Sequence, residues 1–350
     1  MSEPVMGWVV CRPRAARRVA LLATALSLLA GTLLSMPVLA ASDTSAAAVF
    51  AIESPKAAKG LMIDVVHAGK RLVAVGDRGH ILYSDDQGST WAQAKVPTRQ
   101  LLTAVFFVDD QHGWAVGHDA QILASTDGGA TWTQQYQDLK REAPLLDVWF
   151  NDANHGLAVG AYGALIETTD GGKTWNDVSE RLDNEDQYHL NAIAQIKGAG
   201  LFIVGEQGSM FRSSDDGQTW EKLEGPYEGS LFGVISTAQP QTLLAYGLRG
   251  NLYRSTDFGS TWEQVQLNAA RGALEFGLSG ATLLDDGSIV VVGNGGSVVV
   301  SHDDGQTFSV FNRPDRISLS AVTAAGNGNL ILAGQGGVRV ATSAGAELSK

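Results

Sequence analysis

The chain has 350 residues, 44% of them hydrophobic, with 41 Gly, 9 Pro and a formal charge of −12. So large an apolar fraction excludes a disordered chain and is enough for one big core, while the many Gly point to tight turns. The acidic balance argues against nucleic acid or anionic lipid as a partner.

The first 40 residues read as a secretory signal peptide. Arg12, Arg14, Arg17 and Arg18 make a basic start, residues 19–34 an apolar run, and Val38, Leu39 and Ala40 a small-residue cleavage site. Ser35, Pro37 and Ala40 favour cleavage over retention as an anchor, since no basic stop-transfer flank follows. Cys11, the one cysteine, precedes the apolar run, so it is no lipid-anchor site and the mature chain has no disulfide. Residues 1–40 carry four Arg and one Glu, which leaves −15 on the rest. The expectation is a periplasmic or secreted, monomeric protein with no membrane insertion after cleavage. Residues 41–47 read as a linker.

Residues 49–54 (VFAIES) look like a spare strand, and from there the chain repeats. The run SDDQGSTW at 84–91 returns as STDGGATW at 125–132, TTDGGKTW at 168–175, SSDDGQTW at 213–220, STDFGSTW at 255–262 and SHDDGQTF at 301–308. The last residues of these runs are 41, 43, 45, 42 and 46 apart, a regularity that chance does not give. Short runs rich in Val, Ile, Leu and aromatics accompany each turn. In the second unit they are LLTAVFFV at 101–108, GWAVG at 113–117 and QILAS at 121–125, with a fourth from Trp132. Four short antiparallel strands per period of about 40 residues make one propeller blade. A seventh unit at 319–342 keeps three strands, but its turn, Thr342-Ser343-Ala344-Gly345, has lost the Asp and the Trp. The expected fold is all-β: a seven-bladed propeller over 48–343 with a tail at 344–350. The segment near Phe50 is expected to pair into the last blade and close the ring.

The repeated turn, an Asp box, joins the third strand to the fourth. Its carboxylates (Asp86, Asp127, Asp170, Asp215, Asp257 and Asp303) are expected to accept backbone N–H bonds. Gly129 supplies a conformation that a Cβ opposes, and Thr131 is expected to bond back across the hairpin. Trp91, Trp132, Trp175, Trp220 and Trp262 are expected to fill the seams between blades. Each would remove on the order of 200 Å² from water, for roughly 5 kcal/mol as an upper bound. Six acids spread around a ring do not converge on one substrate, and their spacing lacks a calcium-loop ligand set. No catalytic residue and no cofactor is expected, and no two of the seven His sit at metal-ligand spacing, so no metal is expected either. The alternatives are an Asp-box glycoside hydrolase of the sialidase kind and a carbohydrate-binding propeller. Against the first, residues 49–55 (VFAIESP) lack the F-R/Y-I-P stretch such enzymes carry.

In this topology the turns between second and third strands, and the links between blades, emerge opposite the Asp boxes. Those turns read GDRG at 76–79, GHDA at 117–120, GAYG at 160–163, GEQG at 205–208, GLRG at 247–250, GNGG at 293–296 and GQGG at 334–337. A constant frame surrounds a variable pair. The variable pairs supply Arg78, His118, Asp119, Tyr162 and Arg249 as candidate partner-binding residues. The links add Arg99, Arg141 and Arg271, with Arg181, Arg313 and Arg316 beside them. Eight of the twelve arginines after residue 40 fall on this face, and guanidinium forks suit carboxylates.

The export signal, the seven units and repeats of the form GWAVG-x(3)-QIL-x-STDGGATW together resemble the photosystem II stability/assembly factor family, over about residues 49–344. The resemblance implies a non-catalytic assembly factor of a lumenal or periplasmic space, tied to photosynthesis. It also implies binding of the newly made D1 reaction-centre protein through an arginine patch. Carried onto this sequence, the patch is Arg78, Arg99, Arg141, Arg249 and Arg271. The signal has no lipid-anchor cysteine and nothing resembles a thylakoid transit peptide. The expected partner is therefore a membrane-protein client, or its periplasmic segment, such as an envelope exporter of a non-photosynthetic bacterium.

Overall fold

The computed structural model of the protein describes residues 49–270 and 272–348. The signal peptide and linker expected over 1–47 lie outside the described residues, as does Arg271. Each repeat folds into an antiparallel meander, and seven such sheets follow one another along the chain. Blade one runs from Met62–Ala68 through Arg71–Gly76 and Ile81–Ser84 to Ala92–Gln93. Blade two spans Leu102–Phe107 to Thr133–Tyr136, blade three Leu145–Phe150 to Asn176–Asp177 and blade four Leu190–Ile196 to Glu221–Leu223. Blade five spans Leu231–Ser236 to Glu263–Gln264 and blade six Leu278–Leu283 to Ser309–Asn312. Blade seven has three strands, Leu319–Ala324, Leu330–Gly334 and Gly337–Ala341. A small hairpin, Asn268–Ala269 paired with Gly272–Ala273, is inserted in the link from blade five to blade six. No apolar alternation announces it in the sequence.

The second strand of each blade is buried along almost its whole length, because other blades pack on both of its faces. Such strands need consecutive rather than alternating apolar residues, which is why GWAVG and IVVVG read as unbroken runs. The core consists of seams shared by neighbouring blades. Val73, Val75 and Ile81 of blade one, for example, meet Val105, Leu123 and Trp132 of blade two.

Each Asp box is closed on itself. Asp127 accepts the Ser125 hydroxyl at 2.8 Å, the Thr131 N–H at 2.9 Å and the Thr131 hydroxyl at 2.6 Å. Ser125 in turn accepts the Gly129 N–H at 2.9 Å, with Gly129 at φ +83°. Thr131 therefore bonds to the Asp of its own turn and not across the hairpin as expected, because the carboxylate is the nearer acceptor. Of the Asp-box tryptophans only Trp132 is buried, with its indole N–H on the Gly129 carbonyl at 2.9 Å. Trp91, Trp175, Trp220 and Trp262 enter the seams but stay half-buried, so the full burial estimate applies to Trp132 alone.

Ring closure corrects one expectation. The segment beginning at Val49 does not pair into blade seven. It lies along blade one, where Ala51 donates to the Val96 carbonyl at 2.9 Å, Gln93 bonds both Ser54 N–H and the Ile52 carbonyl, and Arg99 reaches the Phe50 carbonyl at 2.8 Å. The outer edge of blade seven is partly taken by the chain's own return, a bridge from Ala341 to Glu347. The ring is sealed by packing: Met62, Val65, Leu72 and Leu82 of blade one share a cluster with Ala321, Ile331 and Ala333 of blade seven. Ser320 adds a hydroxyl bond to the Met62 carbonyl at 2.7 Å.

Candidate binding face

The face opposite the Asp boxes is built from seven turns of one design. Gly76 ends its strand in extended backbone, and a Cβ there would collide with the Leu61 carbonyl of the incoming link. Gly79, at φ +70°, faces the next link, where a Cβ would collide with the Thr98 carbonyl. These two close approaches fix the frame, and the residue between them is held left-handed: Arg78 has φ 58°. Asp119, Tyr162, Gln207 and Arg249 repeat this at φ 61°, 57°, 53° and 56°. A non-glycine residue there costs about 1 kcal/mol. Blades six and seven avoid the cost with Gly295 and Gly336. Five blades accept it and project a side chain from the tip.

The candidates divide into two groups. Arg78 stands 79% exposed, with Asp77 at 3.3 Å. Arg249 is exposed at the tip of blade five, and His118 at the turn of blade two. Asp119 accepts a bond from Gln100 at 2.6 Å. Tyr162 is 60% exposed and meets His189 edge to face at 5.1 Å. These five occupy four turns around one rim, His118 and Asp119 sharing that of blade two. Arg99 and Arg141 are committed within the fold, the first to the Phe50 carbonyl and the second to Asp177. Two arginines counted on this face are structural clamps. Arg181 pairs with the buried Glu167 at 2.9 Å and reaches the Gly217 carbonyl of the next blade's Asp box. Arg313 is 2% exposed, held by Asp315 at 2.9 Å and by the Gly345 carbonyl at 2.7 Å. A buried carboxylate or carbonyl draws a guanidinium out of solvent, which spacing alone does not reveal.

Sequence reasoning counted charges here and missed apolar side chains. Leu61, Leu139, Leu248 and Phe276 are exposed on this face beside Tyr162, making five of the ten large exposed apolar residues among those described. Leu248, the variable apolar residue of GLRG, is the signal that would have found them. The electrostatics are mixed: Asp186 raises the Tyr188 hydroxyl above its ordinary range, and Glu206 lies 4.0 Å from His189.

A closed ring of Asp-box blades whose rigid turns hold cationic and apolar side chains out at one rim defines a propeller of the scaffold class. The sequence matches the model of the family described as photosynthesis system II assembly factor YCF48, over residues 83–144 and 133–275. The chain belongs to that family. No curated protein matches it by sequence. Among solved structures it is similar to YCF48 bound to D1 peptide, at 20% identity and TM-score 0.64, covering 83% of this chain and 95% of that one. YCF48 from Cyanidioschyzon merolae is 19% identical with TM-score 0.63, over 82% and 96% of the two chains. A streptogramin B lyase is 13% identical with TM-score 0.67, over 82% and 94%. At these identities the likeness speaks for the fold, which binding proteins and enzymes share.

Proposed function

We propose that this chain is an exported, non-catalytic assembly or adaptor factor that holds a carboxylate-bearing segment of a membrane-protein client on its loop face. The observation that carries the reading is the rim of strained tips, where Arg78, Tyr162 and Arg249 project beside Leu139, Leu248 and Phe276. Left-handed strain is kept where a side chain is needed, since glycine would make the turn at lower cost. Guanidinium forks match carboxylates, and the apolar neighbours supply contact area. Family membership supports an assembly role, and a similar structure is described as bound to a D1 peptide. The client proposed here is the periplasmic segment of an envelope membrane complex such as an exporter. It is met by a monomer delivered through the signal at 1–40.

The test is crosslinking and co-purification from envelopes. The wild-type protein should recover a defined membrane partner. The triple variant Arg78→Glu, Tyr162→Ala, Arg249→Glu should lose it while melting as the wild type does. Capture that survives the triple variant would remove this face from the reading. Turnover of sialosides or β-glucan oligosaccharides above background would replace the adaptor with a glycosidase.

A further inference from the structure

Residues 49–54 lie as a strap along the outer edge of blade one and reach its rim turn. Ala51 packs inward on the cluster that holds Val96, while Phe50 and Ile52 on either side of it turn outward, as the alternation of an extended chain requires. Other groups hold the strap in place. Ala51 donates to the Val96 carbonyl at 2.9 Å, Gln93 and the buried His80 bond the Ile52 carbonyl at 3.0 and 3.2 Å, and Arg99 bonds the Phe50 carbonyl at 2.8 Å. The side chains of Val49, Phe50 and Ile52 are left 56%, 40% and 61% exposed. Leu61 joins them from the incoming link, where its carbonyl accepts the Asp77 N–H of the same rim turn at 3.0 Å. Four of the ten large exposed apolar residues among those described thus gather at one corner of the ring. Scattered singly they need no account, but gathered they mark an interaction surface.

Cations stand among these side chains. The Lys95 ammonium lies 5.0 Å over the Phe50 ring. A Cβ on Gly79 would come within 3.2 Å of the Arg99 backbone, so Arg99 stands beside Arg78. These three are exposed, as are Lys56 and Lys59 on the turn between Ile52 and Leu61. The acids beside them are Glu53, Asp77 and, across Gln100, Asp119. Five cations against three acids leave this corner at +2 in a chain of −12. The acidity that turns the chain as a whole away from anionic partners is therefore reversed here. Apolar side chains set among Lys and Arg suit the interface of an anionic bilayer. The apolar groups enter the headgroup layer, and the ammonium and guanidinium groups meet the phosphates from the ends of their long stems.

We propose that this corner docks the ring on the surface of an anionic phospholipid bilayer, with Val49, Phe50 and Ile52 in the headgroup layer and Lys95, Arg78 and Arg99 on the lipid phosphates. Covalent connection favours a bilayer over a peptide as the occupant. Fourteen residues, 35–48, join Val49 to the apolar run at 19–34. Fully extended they span at most about 50 Å. That tether belongs to the proposed export route, whereas the charge of the corner and its exposed strap stand without it. Docked by blade one, the ring keeps Tyr162 and Arg249, on blades three and five, for a client segment emerging from the same membrane.

Vesicles of phosphatidylethanolamine and phosphatidylglycerol test this on the full mature chain, against vesicles of phosphatidylcholine. The protein should sediment with the anionic vesicles and not with the neutral ones, and its binding should fall as salt rises from about 50 to about 500 mM. Val49→Asp with Ile52→Asp should weaken binding by roughly tenfold or more. The melting temperature of this double variant should stay unchanged, because neither side chain is buried. Lys95→Gln should weaken binding by about fivefold. The one cysteine, Cys11, precedes the mature chain, so a single environment-sensitive dye can be placed on Ile52→Cys. Its emission should shift to the blue on anionic vesicles. The same dye on Leu283→Cys, where the first strand of blade six ends on the Asp-box face, should not respond. Binding that survives the double variant, or equal shifts at 52 and 283, would overturn the proposal. A protein that leaves the vesicles in solution but takes an acidic client peptide through Lys95 would give the corner to protein and overturn it equally. Vesicle binding is measured with no client present, so its failure leaves the co-purification result standing.

Discussion

Asp127 accepts three hydrogen bonds inside eight residues, and the five other boxes repeat the pattern almost to the tenth of an ångström. Asp127→Ala leaves the Thr131 N–H and hydroxyl without this acceptor and should cost about 1–2 kcal/mol in a urea titration, tempered by their exposure to water. Trp132→Ala should cost more, about 3–5 kcal/mol, since it empties a buried seam. Trp175→Ala should fall short of that, because Trp175 is half-exposed and its buried indole nitrogen makes no bond. Equal losses at the two positions would contradict this ranking. The roles of Asp and Gly were legible in the repeat because their chemistry is local, whereas the depth of each Trp depends on the neighbouring blade. The direction of the Thr131 hydroxyl was not, since two acceptors compete for it and only the folded turn decides between them.

At the scale of strands and blades, seven units and their limits were readable from the consecutive apolar runs. The fate of the segment at Val49 was not. The three-stranded blade seven, with an outer edge only partly covered, and a short outer strand on blade one, Ala92–Gln93, both accept an extended chain. Gln93 and Arg99 settle the choice through side-chain bonds that no periodicity encodes. The seal of the ring accordingly lies elsewhere. Ile331→Ala, in the seam between blades seven and one, should cost about 2–4 kcal/mol. Removing residues 49–54 from the mature chain should cost less and leave the β signature of circular dichroism intact. A deletion more damaging than Ile331→Ala would return the closing role to that segment. The link carrying Leu139 and the inserted hairpin after Asn268 were likewise beyond sequence reasoning, because loops follow no period.

At the scale of the whole ring, two sets of acids among the described residues titrate oppositely. Asp64 and Asp147, near the starts of the innermost strands of blades one and three, are walled by protein, and burial raises them to about 6 and about 7, with the Asp64 charge adding to the second. Their ordinary value is 3.8, so the folded state holds protons that the unfolded chain gives up. That contribution is complete below about pH 4 and is lost as pH rises through 6 and 7. The Asp boxes run the other way. The Thr174 N–H first, and its hydroxyl next, hold Asp170 at about 2, and the Thr307 hydroxyl does the same for Asp303. Their contribution is present above about pH 4 and is lost as pH falls toward 2. The melting temperature should therefore peak at about pH 4–5 and decline toward pH 8. Asp147→Asn should flatten the upper limb and leave the acid limb alone. An upper limb that survives in this variant would assign the decline to other groups.

The glycine frames on the rim separate two jobs that loops usually combine. Close backbone approaches to the neighbouring links, which leave no room for a Cβ, hold each turn in place, so the residue at its apex contributes little to holding it. Positions 78, 119, 162, 207 and 249 are therefore interchangeable fittings on a fixed chassis. If this rim meets a client as proposed, the address presented to it is rewritten by exchanging fittings one at a time, with the ring behind them undisturbed.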